Sequence, residues 1–365
     1  MRNLKKKRKI FIGINEIGDM SLCLAQGFRE LGFEVTNIVS EIDRPLKRRR
    51  EKHDGYIKRT ENKYLYFLYR LKAFLENVPY HDIFIFIFSE TFFSFLLSSR
   101  HEYLRPLSYF ELPLLKLMGK KIVVCTNGCD VRHYSLVERE AQEKGDKYHI
   151  CFDCDLKEKC SLSLKTMKVK KIEKYADYII SHPLTGYLFK RKYLMTRLPI
   201  NLKTISFKIN NSAEPLILHA PSYSMKKGTK YLLETIEKLK EEDYRFKFLL
   251  CENMDNAEVR QKLSQSEIVV DQLLARAHGL FAIEAMASGN VVLGNVQGGH
   301  YGFPEELPIL TTNPDKIYEN LKTVLENPQL RAEMAQRGRV YVEKYHDHIK
   351  VARDFLRQIG EAESL

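Results

Sequence analysis

No stretch of the chain is apolar for long enough to cross a bilayer. The most hydrophobic one, Ile83 to Leu97, is interrupted by Glu90 and falls short of the ~20 residues a spanning helix needs. The basic amino terminus lacks the apolar core and small-residue cleavage site of an export signal. Seven cysteines, odd in number and unevenly placed, do not make a secreted disulfide framework, so a reducing cytoplasm is expected. Eighteen glycines and twelve prolines are too few for a collagen-like or low-complexity chain. No self-similar period suggests a solenoid, and no recognised nucleic-acid motif is present.

What remains is ordinary globular composition, 44% hydrophobic and 29% charged over 365 residues, enough for two domains. The net charge of +12 is lopsided. Residues 1–205 carry 39 Lys and Arg against 24 Asp and Glu, so the first part stands at +15 and the remainder at −3. Two runs concentrate the excess, Lys5–Lys9 and Arg44–Arg50. Such runs attract phosphates on lipid headgroups, nucleic acid or substrates, or they form a solvated face with no specific partner.

Apolar runs alternate with helical patterns throughout. Lys9–Ile14, Glu34–Val39, Ile83–Phe88, Lys121–Cys125 and Tyr178–Ser181 read as strands, and Asp19 reads as the cap of a helix ending at Gly32. Asp43–Asn62 is polar and aperiodic and reads as a loop. A break at Pro199–Pro215 separates this from a second alternating series. Its strands are Leu216–Ala220, Phe246–Leu250, Ile268–Val270 and Val291–Leu293, and it closes on helices Asp315–Leu325 and Pro328–Tyr345 and an amphipathic end from His348 to Ile359. The expected organisation is a first α/β domain over 1–205, a second over 206–345, and a C-terminal helix over 346–365 that crosses back to the first. Both domains are expected to be parallel and doubly wound, with ligands at the carboxyl ends of the strands.

The most informative stretch is His278-Gly279-Leu280-Phe281-Ala282-Ile283-Glu284-Ala285-Met286-Ala287-Ser288-Gly289. Gly279 permits close approach of a ligand, and the helix after it turns free N–H groups and a positive dipole end toward a phosphate. Glu284 lies one and a half turns in, where a carboxylate accepts hydroxyl hydrogen bonds. The same residues also suit a plain helix–strand joint with Glu284 facing solvent. Asn127-Gly128-Cys129-Asp130-Val131-Arg132 follows a strand and reads either as a ligand loop or as a turn with a local Asp–Arg contact.

The 278–289 stretch resembles the donor-binding helix of family 4 retaining glycosyltransferases. His219-Ala220-Pro221-Ser222 with Lys226-Lys227-Gly228-Thr229 is similar to that family's first donor-domain strand and Lys-Gly loop, and Gly298-Gly299 to its Gly-Gly turn. The resemblance implies the GT-B fold, two facing Rossmann-like domains with a cleft between them. It also implies transfer of a sugar from a UDP- or GDP-sugar to a cell-envelope glycan or lipid-linked acceptor, with no metal in the catalysis.

Carried over, Lys227 (with Gly228 beside it) meets the departing diphosphate together with the N–H groups at Gly279 and Leu280. Glu284 holds the ribose, while Ser222, His278, Gly298 and Gly299 line the donor. Two positions depart from the family. Its first Glu falls on Arg276, with Asp271 and Gln272 as stand-ins, and its loop Arg falls on Ser222. On the acceptor side the 127–132 segment resembles a Gly-x-Asp-x-Arg loop in which Asp130 orients a hydroxyl and Arg132 meets a phosphate, with Asn15 to Gly18 as a wall. The departures at Arg276 and Ser222 motivate an alternative, a non-catalytic binding or scaffolding subunit. Nucleic-acid binding by the basic half is a weaker third, and no nucleic acid is expected as a partner.

Cys151-x2-Cys154-x5-Cys160, with Cys125 and Cys129 upstream and His149 adjacent, could hold a structural zinc by four thiolates (Cys129 the fourth) or by three and an imidazole, or these could be free or redox-active thiols. The basic runs, with Phe92, Phe93 and Phe95 adding apolar insertion or else packing in the core, point to peripheral attachment on the anionic inner face of the cytoplasmic membrane.

Overall fold

The computed structural model describes residues 8–41, 53–99, 101–152, 154, 157–296 and 307–361. The chain forms two compact units, one of Met1–His133, Ser161–Pro199 and His348–Leu365, the other of Tyr134–Cys160 and Ile200–Asp347. Segment 134–160, read from sequence as part of the first domain, groups with the second unit.

In the first unit six parallel strands run β1 (Ile10–Ile14), β2 (Val35–Ser40), β3 (Gly55–Ile57), β4 (Ile83–Phe86), β5 (Lys121–Cys125) and β6 (Tyr178–Ile180), in the spatial order β3-β2-β1-β4-β5-β6. This is the Rossmann order, which switches direction between β1 and β4. Both central strands are continuous apolar runs because helices cover both faces of the sheet; Ile10, Phe11, Ile12, Phe84 and Phe86 have no exposure. Phe92 and Phe93 belong to this core too, fully buried, with Phe92 5.1 Å from Phe11 between ring centroids. They are not available for membrane insertion, and Phe95 packs against the same cluster. The segment expected as a loop contributes the short edge strand β3, paired to β2 at Ser40↔Ile57. The helix Met20–Glu30 packs against the last helix, His348–Gln358, with Phe28 5.6 Å from Phe355. Gly27 lets them approach, since a Cβ there would lie 2.7 Å from that of Ala352.

The second unit has five parallel strands, β7 (Leu216–His219), β8 (Lys247–Leu250), β9 (Ile268–Val270), β10 (Val291–Gly294) and β11 (Leu310–Thr311), ordered β11-β10-β9-β7-β8. Helix Thr229–Glu241 covers one face with Leu232, Ile236 and Leu239, all fully buried at helical spacing. Helix Leu280–Ser288 is apolar nearly all round and is enclosed accordingly. Gly289, at φ 95°, ends it, and Gly338 lets helix Pro328–Tyr345 lie against Met286. The direction switch here falls between β7 and β9, so the loops after those strands are where a ligand site belongs.

Among the described residues no helix is long and apolar enough to cross a membrane. Of the basic runs, Lys5 to Lys7 and Arg44 to Arg50 lie outside the described residues. Arg8 pairs with Glu361 at 3.4 Å and Lys9 with Glu34.

Candidate functional site

The loops after β7 and β9 meet around Lys227. Its short helix, Ser224–Lys227, ends at Gly228, whose φ of 78° turns the chain directly into the next helix. The Lys227 ammonium donates to Asp271 Oδ1 at 2.7 Å and to Gln272 Oε1 at 2.9 Å. Asp271 is 2% exposed, so this pair is well shielded from solvent. Two of three N–H groups are thereby engaged, which fixes the charge in place and keeps one donor in hand. Asp271 and Gln272, expected as stand-ins for a sugar-holding Glu, thus act as the holders of Lys227.

Gly279 stands at the N-cap of helix Leu280–Ser288 in extended conformation, with no side chain capping the helix. A Cβ at Gly279 would sit 3.9 Å from Lys227 Nζ and 3.8 Å from Asp271 Oδ2, and the Gly279 N–H donates to that oxygen at 3.3 Å. A lysine ammonium and uncapped helix N–H groups converge here on one small space, the combination a diphosphate requires.

Glu284 is 4% exposed, which removes the reading of a solvent-facing joint. Its Oε1 accepts from Arg260 Nε at 3.1 Å and from Arg260 Nη2 at 2.5 Å. Arg260 lies on helix Asn256–Leu263, started by a full capping box between Asp255 and Glu258. Any hydroxyl held by Glu284 shares the carboxylate with Arg260. Sequence reasoning missed this arginine, because nothing local ties position 260 to 284.

Arg276 is likewise buried, at 4% exposure, and pairs with Asp146 of segment 134–160. A buried guanidinium needs such a partner, and the departure from the family pattern is compensated from outside the motif. The same segment is anchored by Tyr148, whose hydroxyl donates to Asp315 at 2.8 Å and whose ring lies 5.5 Å from Tyr231. Ser222 is exposed in the loop after β7. His278 is half-buried, 5.6 Å from the His346 ring. Gly298 and Gly299 lie outside the described residues.

His219 ends β7 fully buried. Its Nδ1 faces the Val270 carbonyl at 2.7 Å, and its Nε2 lies 2.9 Å from the Thr229 hydroxyl. A carbonyl only accepts, so Nδ1 carries the proton and Nε2 accepts. Burial pushes its pKa down to about 4. The ring is a neutral tie holding β7, β9 and the helix after Gly228 in register beneath the site.

A cavity of about 620 Å³ adjoins the Lys227 turn, with Met225, Leu233 and Leu250 as apolar lining and Ser224, Lys230 and Glu252 as polar groups. That size falls within the usual range for small-molecule pockets.

In the first unit Asp130 is 3% exposed. Its Oδ1 accepts from the N–H groups of Asn127 at 3.1 Å and Gly128 at 2.8 Å, closing a tight turn after β5. Arg132 folds back over that turn, its Nη2 3.7 Å from Cys129 Sγ, so the local contact is with Cys129. Asn15 is half-buried and Gly18 exposed at φ 58°. Between them, Glu16 accepts from the N–H groups of Ile17, Ser21 and Leu22 and lies 3.0 Å from His53 Nε2. Glu16 caps helix Met20–Glu30; Asp19, expected to do so, makes no side-chain cap bond. The His53 and Ser21 bonds keep the Glu16 carboxyl below its ordinary pKa despite the opposing and larger effect of burial.

Among the described residues no disulfide joins the cysteines. Among the described residues, Cys129, Cys151, Cys154 and Cys160 do not join a group of three or more metal-ligating side chains, so no donor set for zinc is assembled by the residues in view.

Residues 230–357 match the family described as Glycosyl transferase-like. Solved structures share the fold over nearly the whole chain. A sucrose-phosphate synthase from Thermosynechococcus elongatus aligns at TM-score 0.64 and 15% identity, covering 97% of this chain and 98% of its own. The Anabaena protein HepE, in complex with UDP and glucose, aligns at 0.64 and 12%, covering 96% and 99%. A variant of S. aureus TarM, in complex with fondaparinux, α-GlcNAc-glycerol and UDP, aligns at 0.61 and 10%, covering 97% and 100%. No curated protein matches in sequence. The chain has the GT-B fold, and over residues 230–357 it is similar to a glycosyl transferase-like family.

Proposed function

We propose that the chain is a retaining glycosyltransferase of the family 4 type, moving a hexose from a UDP- or GDP-sugar to a cell-envelope glycan or lipid-linked acceptor. One observation carries this reading, the convergence of Lys227 Nζ and the uncapped N-terminus of helix Leu280–Ser288 at Gly279. As the sugar–phosphate bond breaks, negative charge grows on the departing diphosphate. A fixed ammonium and oriented N–H groups stabilise that charge without reorganising, and the proposal gives this job to protein groups rather than a metal. The cavity beside Met225 has the size to take a nucleoside next to the phosphates. The UDP bound to HepE and TarM supports a nucleotide donor. The inner face of the cytoplasmic membrane, where lipid-linked acceptors are presented, is the proposed place of action.

Sugar-nucleotide turnover tests the reading. Wild-type protein should release UDP or GDP from one member of a donor panel, and Lys227→Ala should slow the release by roughly 10²–10³ in protein that is still folded. Binding of nucleotide with no turnover of any donor would instead favour a non-catalytic subunit. Elemental analysis of protein purified without chelator decides the zinc expected from the cysteine spacing.

A further inference from the structure

Segment 134–160 leaves the first unit at His133 and rejoins it at Ser161, yet belongs to the second. It is a packed element in which Val137, Ala141, His149 and Cys151 are buried. Its described residues are fastened to the second unit at two places. Asp146 pairs with the buried Arg276, in the loop after β9. Burial lowers the pKa of Arg276, and the charge of Glu140 on the same segment opposes that shift. Two residues beyond Asp146, Tyr148 donates to Asp315 at 2.8 Å and sets its ring edge-on to Tyr231, while Lys147 lies 3.8 Å from the Asp315 carboxylate. A guanidinium taken out of water is costly, so the fold around Arg276 depends on the carboxylates that this segment brings.

Both fastenings adjoin donor-side groups. Tyr231 lies on helix Thr229–Glu241, whose Thr229, Lys230 and Leu233 line the cavity of about 620 Å³. Arg276 precedes Ala277, whose carbonyl accepts from Gln272 Nε2, and Gln272 Oε1 in turn accepts from Lys227 Nζ at 2.9 Å. From this double anchorage the segment puts Cys154 into the cavity wall with Met225, Leu233 and Leu250. Two polarizable sulfurs and two leucines suit the faces of a planar base, and Ser224, Lys230 and Glu252 offer partners for hydroxyls. We propose that segment 134–160 is a wall of the donor site, setting Cys154 against the nucleoside, and that Arg276 is the positioning residue that keeps it there. The proposal rests on the donor reading for the identity of the occupant and not for the wall. The departure from the family pattern at Arg276 then has a use, as the anchor of an added wall.

The test is N-ethylmaleimide labelling of the full chain, in buffer with EDTA so that no metal masks a thiol, read at each cysteine by peptide mass spectrometry. UDP and GDP binding is measured calorimetrically in parallel. With nucleotide at about ten times its Kd, labelling of Cys154 should slow about tenfold by occupancy alone, while that of exposed Cys129 should not change. Arg276→Gln should weaken nucleotide binding about tenfold through loss of a pre-organised wall, and should speed Cys154 labelling when nucleotide is absent. Buried Cys23, in the first unit, reports general loosening and should stay unlabelled. Tyr148→Phe removes one exposed hydrogen bond and should move both readings the same way by a smaller factor, which keeps the test open if Arg276→Gln does not fold. Bound nucleotide that leaves Cys154 labelling at its free rate overturns the wall, as does wild-type labelling of Cys154 in every variant that folds. If neither nucleotide binds, the donor reading falls, and Cys154 labelling in the variants alone then decides the wall.

Discussion

The two Rossmann-like units treat the same structural opportunity in opposite ways. Each places a helix N-terminus beside its central strands, with unpaired N–H groups and a partial positive charge. In the first unit Glu16 reaches into helix Met20–Glu30, takes the N–H groups of Ser21 and Leu22, and is itself bonded to His53. In the second, Gly279 brings no side chain to helix Leu280–Ser288, and Lys227 stands alongside. Glu16, from the preceding loop, takes N–H groups inside the first turn of its helix, whereas Asp271 meets only the Gly279 N–H and no side chain caps the helix beyond it. The fold supplies the opportunity twice, and the neighbouring loops decide whether it remains open.

The comparison breaks most easily at Lys227. Lys227→Ala should lower kcat for donor turnover by roughly 10²–10³, as removal of a charge-stabilising group does. Because it leaves the buried Asp271 unpaired, the variant should also melt at a lower temperature, and turnover is compared well below that melting point. Full turnover in a folded variant would place the diphosphate elsewhere.

Acid should separate the units next. His219, with its pKa near 4, stays neutral in the fold while the unfolded chain takes up a proton below about 6.5. Its contribution is therefore complete above pH 6.5, drains away as pH falls, and is gone near pH 4, about 3 kcal/mol in all. Glu16 loses its contribution in the same direction but in a lower pH window. Its depressed carboxyl favours the fold above about pH 4.5 and loses that effect only below it. Urea unfolding at pH 7 and pH 5 should show the second unit weakening first, and His219→Gln should flatten its slope. Parallel weakening of both units across that range would contradict the assignment.

Glu16→Ala should cost the first unit about 2 kcal/mol, by loss of two capped N–H groups and of the partner of a buried histidine. UDP affinity, a property of the second unit on this reading, should not move. The smallest effect belongs to Asp255→Ala, at about 1 kcal/mol for a lost capping box. Because that helix carries Arg260, a modest loss of nucleotide affinity should accompany it; a shift in stability alone would detach Arg260 from the site.

Much of this fold is written in short-range pattern. Strands such as Ile10–Ile14 and Ile268–Val270 are uninterrupted apolar runs because their sheets are covered on both faces, and Gly279 and Gly289 bracket a helix unmistakably. Pattern ends where pairing is distant. The tie of Glu284 to Arg260 and that of Arg276 to Asp146 join residues with no common periodicity, and both are needed to make buried charge tolerable. Asp19 looks like a cap by position, yet its φ of 66° turns the chain and Glu16 arrives from the preceding loop instead. The edge strand Gly55–Ile57 is three residues long, too short for alternation to register before β2 is there to pair with it.

The helix His348–Gln358 has a consequence for the order of synthesis. It packs on Met20–Glu30, so the first unit closes over one helix using another that lies more than three hundred residues further along the chain and is made later. While the intervening chain is being produced, Leu24 and Phe28 lack the cover that Phe355 and its neighbours provide. The second unit, whose strands β7 to β11 are contiguous in the chain, is under no such obligation. A released chain ending at Asp347 should therefore hold a protease-resistant second unit and a first unit that is still digestible, with resistance restored to the first when residues 348–361 are present.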